Sequence, residues 1–266
     1  MPGAPPWIEA RLKKIFAVVF FFLGCVPPAQ GAEGWTLESG KTQNAFIELY
    51  TSDASRDSNT ALEWMSALKT RDAGALWKQW VPVEFHVNCW DVAGFKDKFA
   101  QKPFDDLLLQ YKKKWNVRSV YAPTLVLNGT EWTGWSRGQE IPTGGTKEVG
   151  VLKVLRSESE GLYSVEFTPA KTLSAQNLAV HAVLTGFGFK SRPSEGENRG
   201  HALSHDFIAL NYAEQPLKRS YGVLKANVEL SAPNKGVHAQ EYAVVFWVRD
   251  TETVQPIQAV GGYLPK

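Results

Sequence analysis

The sequence predicts an α/β domain followed by an all-β domain. In the first half of the chain, strand-like and helix-like segments alternate, which is typical of a small mixed sheet flanked by helices. In the second half the helical period disappears, and about seven strand-like segments separated by turn-forming residues are typical of a β-sandwich. The Pro- and Gly-rich stretch 141–146 separates the two halves, so we expect domains over residues 35–142 and 147–266.

Hydrophobic spacing predicts the elements of the first domain. Residues 45–50 form a short apolar strand, and the polar residues 51–59 lead into a helix. Thr60 with Glu63 has the pattern of a capping box, although Asp57 or Ser58 is an alternative start for this helix. Its apolar residues recur at helical spacing and are Ala61, Leu62, Met65 and Leu68.

The following segments alternate in the same way. Residues 81–87 alternate between apolar and polar side chains, which predicts a half-buried strand. Residues 104–115 carry an apolar stripe at helical spacing and predict a second helix. The Asn128-Gly129 pair after an apolar run predicts a hairpin turn.

The N-terminus has the pattern of a secretory signal peptide. Basic residues at 11, 13 and 14 precede the apolar run 15–24, and small residues follow at 29–32. We therefore expect residues 1–31 to be removed and the protein to be periplasmic or secreted. The apolar run is shorter than the ~20 residues that span a bilayer, so we expect no transmembrane helix after signal removal. A lipid anchor on Cys25 is the alternative, because residues 22–25 loosely match a lipoprotein processing site.

Cysteine content and charge exclude two classes of function. Cys25 and Cys89 are the two cysteines of the chain, so loss of Cys25 with the signal leaves one thiol and no internal disulfide. The formal net charge of +2 is too small to indicate a nucleic acid as the partner.

Four stretches, in this order, resemble one protein family. They are Glu48–Ser52, Phe85–Asp91 with Gly94–Asp97 after it, Ser119–Gly129, and Gly196–Gly200 with Leu203–His205 after it. Together they are similar to the domain-of-unknown-function family 1223, which consists of secreted bacterial proteins with a thioredoxin-like fold. The resemblance implies that the first domain is thioredoxin-like and that the protein is exported.

The chain departs from that family at the redox motif. The family usually carries Cys-x-x-Cys-Pro shortly after the Thr-Ser turn, and those positions fall on Ser55, Ser58 and Asn59. A thiolate attacks a disulfide, whereas a serine hydroxyl is not ionised at neutral pH and cannot form the mixed disulfide. Dithiol oxidoreductase activity is therefore excluded at this position.

The resemblance also places a proline opposite the lost motif. Pro123 falls where thioredoxin-like folds have a cis-proline, which implies that Ser55, Arg56, Asp57, Ser58 and Pro123 line one surface. We expect this surface to bind an extended peptide or an envelope protein, with charge-assisted hydrogen bonds from Arg56 and Asp57. The alternative is that Pro123 only shapes the entry into its strand.

The sequence favours a redox-inactive binding or accessory module of the cell envelope, with no cofactor and no metal site. On a strand, His201 and His205 lie about 13 Å apart, too far to share one ion. His86 is expected to be a hydrogen-bonded structural histidine. The competing hypothesis is an enzyme that uses the lone Cys89 or a histidine metal site in the second domain. Trp132 and Trp135 predict either a stacking surface or core packing.

Overall fold

The described part of the chain consists mainly of strands. In the computed structural model it comprises residues 34–72, 74–88, 96–143, 145, 147–173, 177–233 and 236–265. The expected signal peptide, Cys25 and Cys89 lie outside these residues. No helix among them is long and apolar enough to cross a membrane.

The described residues contain two α-helices, fifteen strands and a short 3-10 helix at Thr133–Arg137. The helices are α1 (Ser58–Arg71) and α2 (Lys102–Trp115). The strands are β1 (Thr36–Glu38), β2 (Ala45–Thr51), β3 (Trp80–His86), β4 (Thr124–Leu127), β5 (Thr130–Glu131), β6 (Gly150–Arg156), β7 (Leu162–Pro169), β8 (Leu178–Phe187), β9 (Phe189–Ser191), β10 (Leu203–His205), β11 (Ile208–Pro216), β12 (Lys218–Ser220), β13 (Val223–Glu229), β14 (Glu241–Asp250) and β15 (Pro256–Tyr263).

Eight strands form the larger sheet, in the order β15-β14-β8-β11-β3-β2-β4-β5. The strand β3 lies near its middle and is paired on both edges. The strand β2 runs parallel to it along its whole length, with Ala45 opposite Trp80 and Thr51 opposite His86. The strand β11 runs parallel to it on the other edge, where Ile208 is opposite Glu84. Strands from both halves of the sequence therefore share one sheet.

The prediction of a thioredoxin-like α/β domain followed by a separate β-sandwich is wrong. The order strand, helix, strand, helix, hairpin expected for the first half is present. Its strands, however, are one end of a sheet whose other end comes from the second half, and from Gly34 onward the chain forms one compact unit. Local spacing predicts where strands lie, but it does not show which strands become neighbours.

A second sheet covers part of the larger one. Its order is β1-β6-β7-β13-β12, so the N-terminal strand β1 joins strands from the second half. Val154 and Phe167 of this sheet pack against Val180 and Phe246 of the larger sheet in one apolar core. The two sheets thus form layers over the β8–β14 part of the molecule. The remaining strands, β9 and β10, pair with each other.

The two helices cover opposite faces of the larger sheet. Both begin and end close to the predicted positions, and the expected apolar residues of α1 are buried. The residue Asp57 precedes the first turn of α1 without a side-chain cap. Successive residues of β2 point to opposite faces, so Ile47 packs with α1 residues and Phe46 packs with α2 residues. The turn after β2 leads directly from the end of this strand into α1.

The strand β3 differs from its prediction in one respect. The alternating pattern predicts a half-buried strand, but all seven of its residues are buried. The polar residues Glu84 and His86 face inward and find their partners inside the protein.

Candidate functional site

The turn after β2 carries four of the five predicted site residues. The hydroxyl of Ser52 accepts a hydrogen bond from the Ala54 N–H at 3.2 Å, and the Ser55 N–H donates to the Ser52 carbonyl at 3.2 Å. These local bonds fold the chain back immediately after the strand. The turn ends at Ser58, the first residue of α1.

The structure brings Ser55 and Pro123 together. The Ala122–Pro123 peptide bond is cis, and the Ser55 hydroxyl donates to the Ala122 carbonyl at 3.3 Å. Asp57 lies beside them on the wall of the same cleft. These three predicted residues share one surface.

Arg56 and Ser58 are not among the residues that line this cleft. The Arg56 side chain is exposed, and its backbone N–H donates to Glu197 at 3.0 Å. Ser58 is fully buried, and its hydroxyl oxygen has no hydrogen-bond partner.

The cleft has a volume of about 810 Å³ and an aromatic, acidic wall. None of the described residues that line it is Lys or Arg. Its acidic members are Asp57, Glu131 and Glu197. Its apolar and aromatic members are Ala54, Tyr121, Ala122, Pro123, Leu125, Trp132 and Trp135.

The two tryptophans of the cleft are held in place by a third. Trp64, on α1, contacts Trp132 edge-on at 5.8 Å between ring centroids and Trp135 at 6.3 Å. All three are half-buried. Trp132 and Trp135 therefore pack against the core on one side and leave part of their surface in the cleft.

A loop from the second half of the chain clamps the turn. The amide of Asn198, itself 1% exposed, donates to the carbonyls of Asp53 at 3.1 Å and Ser55 at 2.7 Å. The Glu197 N–H donates to the Ala54 carbonyl at 3.0 Å. Gly196 has a φ of +79°, and a Cβ there would lie 3.0 Å from the Ala54 backbone, which explains why glycine stands at this position.

A buried cluster of histidines and carboxylates lies on the inner side of the same turn. His86 is fully buried, with Nδ1 2.7 Å from Asp97 Oδ2 and Nε2 2.7 Å from Glu84 Oε1. Ionised carboxylates only accept hydrogen bonds, so both ring nitrogens of His86 donate and the ring carries a positive charge.

His205 joins this cluster from β10. Its Nδ1 lies 2.9 Å from Glu84 Oε1, and its Nε2 lies 2.9 Å from the Ser191 hydroxyl and 3.5 Å from Asp53 Oδ1. Asp53 Oδ1 is also 4.0 Å from His86 Nδ1. This carboxylate oxygen is buried and has no hydrogen-bond partner.

Charges and hydrogen bonds inside the cluster shift the pKa of its groups more than burial does. Burial by itself lowers the pKa of His86, but the charges and hydrogen bonds of Asp97 and Glu84 together hold it well above its usual range. Burial raises the pKa of Asp97, yet His86 and two backbone N–H groups lower it to about 2. Glu84 behaves in the same way, because His205 and His86 hold its pKa below the usual value.

The sequence predicted a hydrogen-bonded histidine at position 86, and both of its ring nitrogens have hydrogen-bond partners. The sequence did not predict that Asp53 and His205 would lie beside it. Glu84 and His86 are two polar residues in an otherwise apolar strand, and this was the feature of the sequence that could have indicated a buried polar cluster. The other histidines are separate: His201 is exposed in a loop, and His181 bonds the Tyr212 hydroxyl at 2.7 Å.

Together, fold and site define a β-rich protein with an aromatic, acidic cleft above a buried histidine–carboxylate cluster. The chain belongs to the family described as protein of unknown function (DUF1223), whose sequence pattern matches residues 46–249. No curated protein matches the chain.

Two solved structures share the fold. A protein of Agrobacterium tumefaciens, determined by X-ray crystallography, aligns with a TM-score of 0.51 at 15% identity over 85% of this chain and 96% of that one. HBP35 of Porphyromonas gingivalis aligns with a TM-score of 0.55 at 14% identity over 85% of this chain and 76% of that one. At this identity the likeness concerns the fold alone.

Proposed function

We propose that this protein is an exported, redox-inactive module that binds an extended peptide segment of an envelope protein in the cleft beside Ser55 and Pro123. The observation that carries the proposal is the composition of the cleft: an aromatic wall and three carboxylates, without a basic residue among its described lining. Such a wall favours a ligand with an apolar or aromatic side chain and a cationic group.

The edge of the sheet supports an extended ligand. The strand β5 is the last strand of the larger sheet, and its Glu131 lines the cleft. An extended segment laid along a sheet edge gains backbone hydrogen bonds, while side-chain pockets select its sequence. The Tyr121 hydroxyl bonds Glu131, which fixes one carboxylate and one aromatic ring at this edge.

Export is part of the proposal and is supported by the N-terminal sequence pattern. Mass spectrometry of the protein recovered from an envelope fraction is expected to find a chain that begins near residue 32. An acylated chain that begins at Cys25 would replace secretion by the lipid-anchored form, and an intact N-terminus in the cytosol would overturn export.

Binding is tested with two labelled ten-residue peptides that differ only in charge, one with Lys and Trp and the other with Glu and Trp. Fluorescence anisotropy is expected to show at least about tenfold tighter binding of the Lys peptide, with an affinity that falls as salt rises. Equal affinity for both peptides, or binding of neither, contradicts the proposal.

Variants locate the binding surface. Trp135→Ala is expected to weaken the Lys peptide about tenfold through lost aromatic contact. The double variant Glu131→Gln, Glu197→Gln is expected to remove most of the salt dependence. Glu166→Gln is the matched control, because this carboxylate pairs with Lys225 on the other sheet. If the control weakens binding as much as the double variant, the cleft is not the binding surface.

A further inference from the structure

We propose that Asp53, His86 and His205 bind one divalent transition-metal ion, such as Zn²⁺, on the inner side of the turn. The three candidate ligand atoms, Asp53 Oδ1, His86 Nδ1 and His205 Nε2, lie within 4.8 Å of one another, and all three residues are buried. Two imidazoles and one carboxylate are a common ligand set for zinc and for non-haem iron.

The two distances from Asp53 to the histidine nitrogens are close to those of a metal site. Ligand atoms about 2.1 Å from a tetrahedral ion lie roughly 3.4 Å from one another. Asp53 Oδ1 and His205 Nε2 are 3.5 Å apart, which fits without movement. Asp53 Oδ1 and His86 Nδ1 are 4.0 Å apart, so a small side-chain movement closes this edge.

One carboxylate orients both imidazoles. Glu84 Oε1 accepts from His86 Nε2 at 2.7 Å and from His205 Nδ1 at 2.9 Å. In metal sites the ligating histidine usually donates its other nitrogen to such a carboxylate, which fixes the ring and the tautomer. Here the nitrogens not held by Glu84 are the two that lie near Asp53.

The unpartnered oxygen of Asp53 is the second, independent observation. Asp53 is 4% exposed, and its Oδ1 has no hydrogen-bond partner. A buried polar atom without a partner destabilises the folded state, so such atoms are rare and often indicate a missing ion or water. An ion between Asp53, His86 and His205 would satisfy it.

Charge and access are consistent with an ion. The cluster contains three carboxylates, Asp53, Glu84 and Asp97, and an ion bound at His86 Nδ1 replaces the proton now directed at Asp97. A small pocket of about 190 Å³ is lined by Asp53, which belongs to the cluster, and by Ser191, which bonds His205. Lys96, Lys98 and Arg192 also line this pocket and oppose the entry of a free cation, so we expect slow loading.

The three ligands come from different parts of the fold. Asp53 lies in the turn, His86 ends β3 and His205 ends β10. A bound ion would tie the turn that carries Ser55 to the centre of the larger sheet. This role does not depend on what occupies the cleft. The metal site can therefore be disproved while peptide binding is confirmed, and peptide binding can be disproved while the metal site is confirmed.

The first test measures binding to the purified full chain. After overnight equilibration with Zn²⁺ and gel filtration, elemental analysis is expected to give one zinc per chain. Because the ion binds only the folded state, it is also expected to raise Tm. A zinc content below about 0.1 per chain, together with an unchanged Tm for Zn²⁺, Co²⁺ and Fe²⁺, overturns the proposal.

The second test locates the ion. Asp53→Asn and His205→Gln are each expected to weaken zinc binding at least about tenfold, whereas the exposed His201→Gln, the matched control, leaves it unchanged. Zinc binding that survives both ligand variants places the ion elsewhere and overturns the site. If a variant fails to fold, X-ray absorption spectroscopy of the zinc-loaded wild type identifies the ligands instead. Two imidazole ligands and no sulfur are expected. A sulfur ligand excludes this site.

Discussion

Two buried polar clusters of this protein shift the pKa of a glutamate in opposite directions. Glu84 lies between His86 and His205, which hold its pKa below the usual value. Glu48 is equally buried, but its oxygens accept hydrogen bonds from the Tyr50 and Tyr111 hydroxyls. Burial raises its pKa to about 7, against the lowering influence of Arg249 and the two tyrosines. The comparison shows that the partners, and not the depth of burial, decide whether a carboxylate stays charged.

The largest effect is expected from Glu84→Gln. This change removes the negative charge that faces His86 and His205 and puts a neutral amide where a carboxylate accepts from both rings. Breaking such a buried network is expected to lower the free energy of unfolding by about 3 kcal/mol. Urea denaturation at pH 7 measures it, with Glu166→Gln, at a half-buried carboxylate outside this cluster, as control. A loss of less than about 1 kcal/mol in the free energy of unfolding would show that the partners of Glu84 stabilise it no more than those of Glu48 do.

A pH-dependent effect of opposite sign, at most as large as that of Glu84→Gln, is expected from Glu48→Gln. Folded Glu48 holds its proton up to a pKa of about 7, whereas the unfolded chain releases it near 4.5, the ordinary pKa of a glutamate. The contribution of Glu48 to the free energy of unfolding therefore falls as pH rises from 4.5 to 7. A shift of this size corresponds to about 3 kcal/mol at most.

Glutamine cannot ionise; its carbonyl oxygen accepts from one tyrosine hydroxyl, and its amide N–H donates to the oxygen of the other. The variant and the wild type are therefore expected to be similar in stability at pH 4.5, and the variant is expected to be more stable above pH 7. Denaturation midpoints at pH 4.5, 6 and 8 measure the difference. A difference that does not change with pH would mean that Glu48 is charged throughout, like Glu84.

The smallest effects are expected from the two serines at the lost redox motif. They compare a neutral hydroxyl that has a hydrogen-bond partner with one that has none. Ser55→Ala removes the hydrogen bond to the Ala122 carbonyl and is expected to cost about 1 kcal/mol. Ser58→Ala removes a buried hydroxyl without a partner and is expected to be neutral or slightly stabilising. Thermal unfolding of both variants measures this, and the opposite order would contradict the assigned bonds.

Spacing alone predicted the local elements of the fold. The apolar residues of α1 and α2, and the apolar run at β2, identify elements that the structure contains. It did not predict the sheet that joins them. The pairing of β3 with β11 rests on a contact between Glu84 and Ile208, and no local period carries information about partners so distant in sequence.

The candidate site was likewise predicted from the sequence only in part. The resemblance placed Ser55, Asp57 and Pro123 together, and they line one cleft. It gave no indication of the cluster beneath them, where His205 and Glu84 meet across 121 positions of sequence. His86, on a strand of alternating character, was expected to lie on the polar side, because the pattern does not distinguish solvent from buried polar partners.

The parallel pairing of β11 with β3 has a consequence for biosynthesis. Until the ribosome has added Ile208, one edge of β3 has unpaired backbone groups, and such an edge is a template for aggregation. Pairings between residues so far apart also form slowly. We therefore expect the nascent first half to expose this edge of β3 until β11 has been synthesised.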